Sequence, residues 1–326
     1  MSESSARPIG GYFELELPKS GKFPYPDAFK YQSARAAFLA LLRARKPKRV
    51  WLPKYICDAM LMPLQTAKIE CIWYELDSKL AVSGEVQLGA GDLLVYVNYF
   101  GLHNKNVGDL LKRFPPQQIV LDYSQSFFEP PAEAALATLY SPRKFFGVPD
   151  GGLLVSKLAG TPISKQDAGS LGRSAHLLKR LAGSPEDGYA DYQHAEEGLS
   201  DSEPKRMSKL TERILGAVDF DGARNARHEN FMYLHRELGS INPFEIDVAA
   251  AAAPLCYPFM TNDPTLRQRM IANRIFVPTY WADALARVGD KWANRMVKNL
   301  LPLPVDQRYD RKDMQRIVAI IQERNI

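Results

Sequence analysis

Cysteine is scarce in this 326-residue chain, with only Cys57, Cys71 and Cys256 present. An odd number at wide spacing excludes a disulfide framework and a four-thiolate zinc site. The five histidines form no HExxH pair or other metal spacing, so no metal centre is expected. No apolar run reaches the roughly 18 residues that span a membrane, and the opening MSESSARPIGG has no apolar signal core. A cytoplasmic location without membrane contact is therefore expected. Neither GxxxxGK[ST] nor GxGxxG occurs, which excludes a nucleotide P-loop and a Rossmann dinucleotide fingerprint. There is no internal repeat, and no low-complexity tract beyond Ala249–Ala253. A charge excess is also lacking. The 42 basic and 37 acidic residues are mixed along most of the chain for a net +5, which does not indicate a nucleic-acid partner but suits a small anionic substrate.

What is present is a chain with 46% hydrophobic residues, long enough for a large core and a second lobe. Residues 1–30 read as irregular, with a short strand at Tyr12–Leu17. Ser33 to Arg45 is a helix: Ala34, Ala37, Phe38, Leu41 and Leu42 share one face, and Ser33 can cap the start. Strands at Val50–Leu52, Cys71–Leu76, Leu93–Tyr99, Ile119–Asp122, Leu136–Ser141 and Leu153–Val155 alternate with helices at Ile56–Gln65 and Val107–Arg113. These strands lack polar alternation, the mark of a buried, mostly parallel sheet. Residues 156–206 turn polar and read as a loop excursion over the surface, reaching toward a partner subunit. A helical block follows from Met207 to Leu238. Beyond it a smaller α/β lobe is expected, with a strand at Ile275–Val277 and a last helix at Lys312–Arg324.

The stretch IVLDYSQSFFEPPAEAALATLYSPRKFFGVPDGG, residues 119–152, carries the chemistry. One apolar run ends in Asp122. The next, Ala135–Tyr140, leads to Ser141 and Lys144, and a Gly-rich turn follows. A carboxylate and a lysine at the ends of neighbouring strands are what pyridoxal phosphate (PLP) requires. The lysine forms the Schiff base, and the acid faces the pyridinium nitrogen. The start of the helix at Ser33, Ala34 and Arg35 offers backbone N–H groups and a positive dipole end for a phosphate. Arg143 could supply a cation that keeps the lysine amine reactive. Tyr189, Tyr192 and His194 in the excursion read as packing residues, as do Tyr280 and Trp281. Arg224 and Arg227, with Asn225 and Asn230, read as a solvated helix face. Gln307 and Arg308 read as structural.

Taken in order, several segments resemble the DegT/DnrJ/StrS-type aminotransferases, PLP enzymes of fold type I (aspartate aminotransferase-like). SARAAFLALL (33–42) is similar to the family's phosphate cradle. LPKYICDAM (52–60) resembles its proline-led segment over the cofactor ring, and VNYFGL (97–102) its short strand ending in Gly. LDYSQS (121–126) resembles the D-x-A-Q element, SPRKFFGVPDGG (141–152) the lysine segment, and KRMSKLTERIL (205–215) the helix after the dimer-crossing loop. FVPTYW (276–281) and LPLPVDQRYDRKDM (301–314) match the C-terminal pattern.

The resemblance implies an α/β fold: a three-layer αβα large domain with a mostly parallel sheet over residues 1–215, containing the loop excursion 157–206, and a smaller C-terminal α/β domain over 216–326. It implies Lys144 as the Schiff-base and catalytic lysine, Asp122 on the pyridine nitrogen, and Gln125 on the ring's phenolic oxygen. Ser33, Ala34 and Arg35 would hold the phosphate, and Lys205 or Arg206 would reach a phosphate across a homodimer interface. The family stacks an aromatic ring where Cys57 stands, so Tyr55 or Tyr99 is expected to take that role. Its phosphate-binding Ser aligns with Leu139, leaving Ser141 or Thr138 to supply the hydroxyl. Asn98 stands where many members have His. The implied activity transfers an amino group from glutamate or glutamine to a keto-sugar, nucleotide-linked, in polysaccharide or secondary-metabolite biosynthesis. The alternatives are another PLP reaction on the same scaffold, or a lapsed PLP-binding regulatory protein.

Overall fold

The computed structural model describes residues 9–18, 22–158, 163, 165–200, 203–289 and 291–323. The chain opens with β1 (Phe29–Tyr31), α1 (Ala34–Arg45), β2 (Arg49–Pro53), α2 (Leu61–Ala67), β3 (Glu70–Leu76), β4 (Val82–Ser83) and β5 (Leu93–Val97). There follow α3 (Asn104–Arg113), β6 (Ile119–Asp122), β7 (Ala137–Tyr140), β8 (Gly152–Ser156), α4 (Ala175–Ala182), α5 (Tyr189–Glu197), α6 (Lys209–Gly216) and α7 (Phe220–Leu238). The last part holds β9 (Cys256–Met260), α8 (Leu266–Ala272), α9 (Lys291–Asn299), β10 (Leu300–Pro304) and α10 (Arg311–Gln322).

Eight strands form one sheet in the order β1-β8-β7-β6-β5-β2-β3-β4. Strands β3, β2, β5, β6 and β7 run parallel, while β8 is antiparallel to β7 and β1, and β4 is antiparallel to β3. The central strands are apolar because both faces are covered. All five residues of β5 and all four of β6 are buried. The order places the C-terminal ends of β1, β2, β6 and β7 on one edge of the sheet, where sites of such sheets gather.

Helix α1 is set as its sequence predicts. Ser33 is extended and its side chain accepts from the Ala36 N–H, while Lys46 closes the other end in the left-handed region at φ 49°. Ala36, Ala37, Phe38, Leu41 and Leu42 are fully buried in the core that also takes up β5, β6 and α7.

Four expectations change. Tyr12–Leu17 forms no strand: Tyr12 and Phe13 point almost wholly into solvent, and no ladder partner lies alongside among the described residues. The helix expected from Ile56 begins later, as a 3₁₀ turn at Asp58–Met60 leading into α2, because the chain stays extended through Cys57. Residues 156–206 are not all loop. The described part includes α4 and α5, helices of eight and nine residues, each little more than two turns long. Ile275–Val277 is irregular, and the C-terminal part of the chain instead carries the antiparallel pair β9/β10. Proline hid that pair from a propensity reading. Pro258 faces Pro302 across the ladder, which a two-stranded sheet allows because each strand has a free edge.

Candidate functional site

The site forms where the sheet's parallel strands end. Asp122 is the last residue of β6, and Leu139 of β7 lies opposite it. Three residues past Leu139 the chain enters a 3₁₀ turn, Pro142–Lys144, in which the Lys144 N–H donates to the Ser141 carbonyl at 3.2 Å. Adjacent strands thus deliver the acid and the lysine to one edge. Asp122 is buried and accepts from the Ser124 N–H at 2.8 Å, while the Lys144 amine is exposed and has no ion-pair partner among the described residues.

Cys57 joins them. Burial pushes its thiol up, the Lys144 ammonium pulls it back, and the Asp122 and Asp283 carboxylates push it further up. The Cys57 loop is pinned from the C-terminal part of the chain. Asp283 accepts from the Asp58 N–H, and Arg287 reaches Asp58 and the Ile56 carbonyl while lying over the Trp73 ring. Arg35, one position into α1, also feels the Cys57 thiol, and burial lowers its pKa.

The close seat of α1 depends on Gly152. A Cβ there would stand 2.1 Å from the Ser33 carbonyl carbon and 2.3 Å from the Ala34 nitrogen. Only glycine lets the helix start lie directly on β8, with Gly151 donating to the Gln32 carbonyl at 2.7 Å. The first turn of α1 carries no acidic residue, so its positive end is uncompensated.

Gln125 is fully buried. Its Oε1 accepts from the Phe100 N–H at 2.8 Å, and its Nε2 has no partner among the described residues. Phe100 is held in the left-handed region at φ 59°, a conformation that costs a side chain about 1 kcal/mol. That backbone orients Gln125. An orphaned buried amide donor is costly unless a ligand meets it.

The structure brings Ser33, Ala34, Arg35, Cys57, Asp122, Gln125, Ser141 and Lys144 to this edge. Tyr55 and Tyr99 do not offer a face. Their rings stack on each other at 5.8 Å, both meet Trp281 edge-on, and both are buried, with the Tyr99 hydroxyl donating to the Tyr55 carbonyl. They form a wall behind the site, and Cys57 is the half-exposed residue beside the lysine and the acid. Thr138 and Leu139 are buried within β7. Arg206 stands apart at the sheet's outer edge. Its backbone bridges Tyr31 and Gln166, and its exposed guanidinium meets no described residue.

Arg227 and Asn230, expected on a solvated helix face, are buried instead. Arg227 is 1% exposed, stacks on Phe145 at 4.5 Å, and donates to Gln307 and to the carbonyls of Phe145, Pro254 and Leu255. Burial lowers its pKa to about 10. Asn230 is likewise buried and donates to the Tyr309 carbonyl, while Gln307 donates to the Phe145 carbonyl at 2.8 Å. Arg227 and Gln307 thereby grip the residue that follows Lys144. Nothing in the sequence marks Arg227, because i, i+3 spacing with Asn230 reads as an exposed face. Among the described residues no group of three or more His, Cys, Asp or Glu could hold a metal ion, and no helix is long and apolar enough to cross a membrane.

No family model matches this chain, and no curated protein matches it. Solved structures do. The sugar aminotransferase CalS13 from Micromonospora echinospora superposes with a TM-score of 0.61 at 15% identity, over 90% of this chain and 86% of that one. A DegT DnrJ EryC1 StrS aminotransferase from Brucella abortus gives 0.62 at 14%, over 90% and 85%. NtdA from Bacillus subtilis, solved with bound cofactor PMP, gives 0.64 at 12%, over 90% and 72%. What the chain shares with them is the α/β fold, that of the fold-type-I PLP-dependent aminotransferases.

Proposed function

We propose that the protein is a PLP-dependent aminotransferase, taking an amino group from glutamate or glutamine and giving it to a keto-sugar, nucleotide-linked. One observation carries this reading: an unpaired lysine amine and a buried carboxylate stand at the ends of adjacent strands, next to an orphaned amide donor. Those groups fit the cofactor. Lys144 would hold its aldehyde carbon, Asp122 its ring nitrogen, Gln125 Nε2 its phenolic oxygen, and the start of α1 its phosphate. When bound, PLP supplies an electron sink for the bond broken at the donor's Cα.

The chain's residues do the rest. The Lys144 amine takes the proton from the donor Cα and returns one on the substrate side, as base and then acid. Asp122 would face the ring nitrogen from the end of β6. The Tyr55–Tyr99–Trp281 wall keeps water from one side of the site. Sugar as the acceptor rests on the activity named for CalS13, and a homodimer is the assembly in which the outlying Arg206 would serve a neighbouring site. The test is the visible absorbance of the protein purified with PLP. Wild type should show a band that Lys144→Ala lacks, and should release labelled nitrogen from glutamate into a keto-sugar. Identical spectra for the two proteins would sink the reading.

A further inference from the structure

The excursion returns to the site through one side chain. Glu196, in the last turn of α5, ion-pairs with Arg143, the residue before Lys144. The Arg143 side chain is 14% exposed and Glu196 38%. Three further observations bear on that pair. Arg143 Nε is buried with no partner among the described residues, so one donor of the guanidinium fork beside the Glu196 contact is idle. Arg35 has no bonded carboxylate. Its side-chain hydrogen bond among the described residues goes to the Met62 sulfur at 3.9 Å, and it lies within electrostatic reach of both Glu196 and Arg143. Finally, a carboxylate in the last turn of a helix opposes the helix dipole, so Glu196 does not stabilise α5 by its position. One acid from a surface excursion thus stands between two half-buried guanidiniums that it does not saturate.

We propose that Arg35 and Arg143 form an oxyanion subsite beside Lys144, and that Glu196 is its internal occupant until a ligand's carboxylate or phosphate displaces it. A planar oxyanion could take Nε and Nη2 of Arg143 together, which the monodentate Glu196 contact leaves half used. Arg35 then gains the anion that its half-buried charge lacks. Displacement frees α5 to shift outward, so ligand entry and uncovering of the site are one event. The identity of the anion rests on the aminotransferase reading: the donor's carboxylate is one source and the cofactor's phosphate the other. The subsite itself does not rest on that reading.

The experiment uses the full chain without cofactor and two probes, glutarate for a dicarboxylate donor and inorganic phosphate for the cofactor. Binding is followed by titration calorimetry. Glu196→Gln should tighten one probe by about tenfold, the effect of removing a competing charge-assisted contact. The probe that gains identifies the source. Arg143→Gln should lose that gain when combined with Glu196→Gln. If Glu196→Gln weakens the fold, the same probe should raise its Tm and leave that of the double variant unchanged. Equal affinities for both probes in wild type and Glu196→Gln, with no Tm response, overturn the proposal. The lysine's chemistry is tested separately by absorbance, so either idea can fail without the other.

Discussion

Gly152→Ala is the sharpest single perturbation of this molecule. The added Cβ would meet backbone, not a side chain that could swing away: Ser33 C at 2.1 Å, Ser33 O at 2.2 Å and Ala34 N at 2.3 Å. Restoring an ordinary contact of 3.4 Å from 2.1 Å needs a backbone shift of about 1.3 Å at the start of α1. Overpacking of this kind costs about 1–3 kcal/mol, or more where the backbone cannot yield. For a chain of this length each kcal/mol lowers Tm by roughly 2 °C, so a fall of roughly 2–6 °C is expected in a calorimetric scan. The same shift moves the proposed phosphate cradle, and a misplacement near 1 Å should weaken PLP binding by at least about tenfold in a fluorescence titration. Gly108→Ala in α3 is the control. Beyond the neighbouring backbone of α3 no atom lies within 4 Å of its Cβ, so stability should hold or rise by up to about 1 kcal/mol. A Gly152→Ala protein with wild-type Tm and wild-type PLP affinity would refute the close seating of α1 on β8.

Two other sites give quantitative expectations. Arg227→Met keeps the volume but strips donors from the Phe145, Pro254 and Leu255 carbonyls and from Gln307, which should cost about 3 kcal/mol or more in urea unfolding. A Met variant as stable as wild type would mean that relief of the buried charge outweighs the lost bonds. His103 is held down to about 4 by burial, which the Asp77 and Asp247 carboxylates only partly oppose. It binds its proton less readily folded than unfolded. Its contribution to stability is therefore steady above about pH 6.5 and falls as pH drops toward 4, by at most about 3 kcal/mol. His103→Gln should flatten that part of the pH profile in chemical denaturation, and parallel profiles for the two proteins would contradict the burial account.

The central sheet was legible because its strands are buried on both faces, and a run such as Leu93–Val97 has no other reading. Asp122 and Lys144 were legible for the same reason, since one ends such a run and the other lies four residues past the next. Strands β1 and β4 were not, being three and two residues long. Strands β9 and β10 were masked by the prolines that their free edges tolerate. In the site, Gln125 could be named but its orientation could not, because it depends on the left-handed backbone of Phe100. Arg227 and the Arg143–Glu196 pair join segments about 80 and 50 positions apart. Such pairings arise from tertiary packing, and a buried arginine carries no local signal.

Ser33 and Gly152, which touch in the finished molecule, lie about 120 positions apart in the chain. Closing a span of that length carries an entropic penalty that grows with the logarithm of its length, and contacts of this kind form late in folding. Helix α1 is synthesised long before the strand that seats it. A ribosome-bound chain or a refolding intermediate with β5, β6 and β7 assembled already holds Asp122 and the lysine turn, but has nowhere to lodge a phosphate. Binding competence in this protein is thus a report on the last closure of its sheet, and cofactor capture during refolding should lag behind the burial of the central strands.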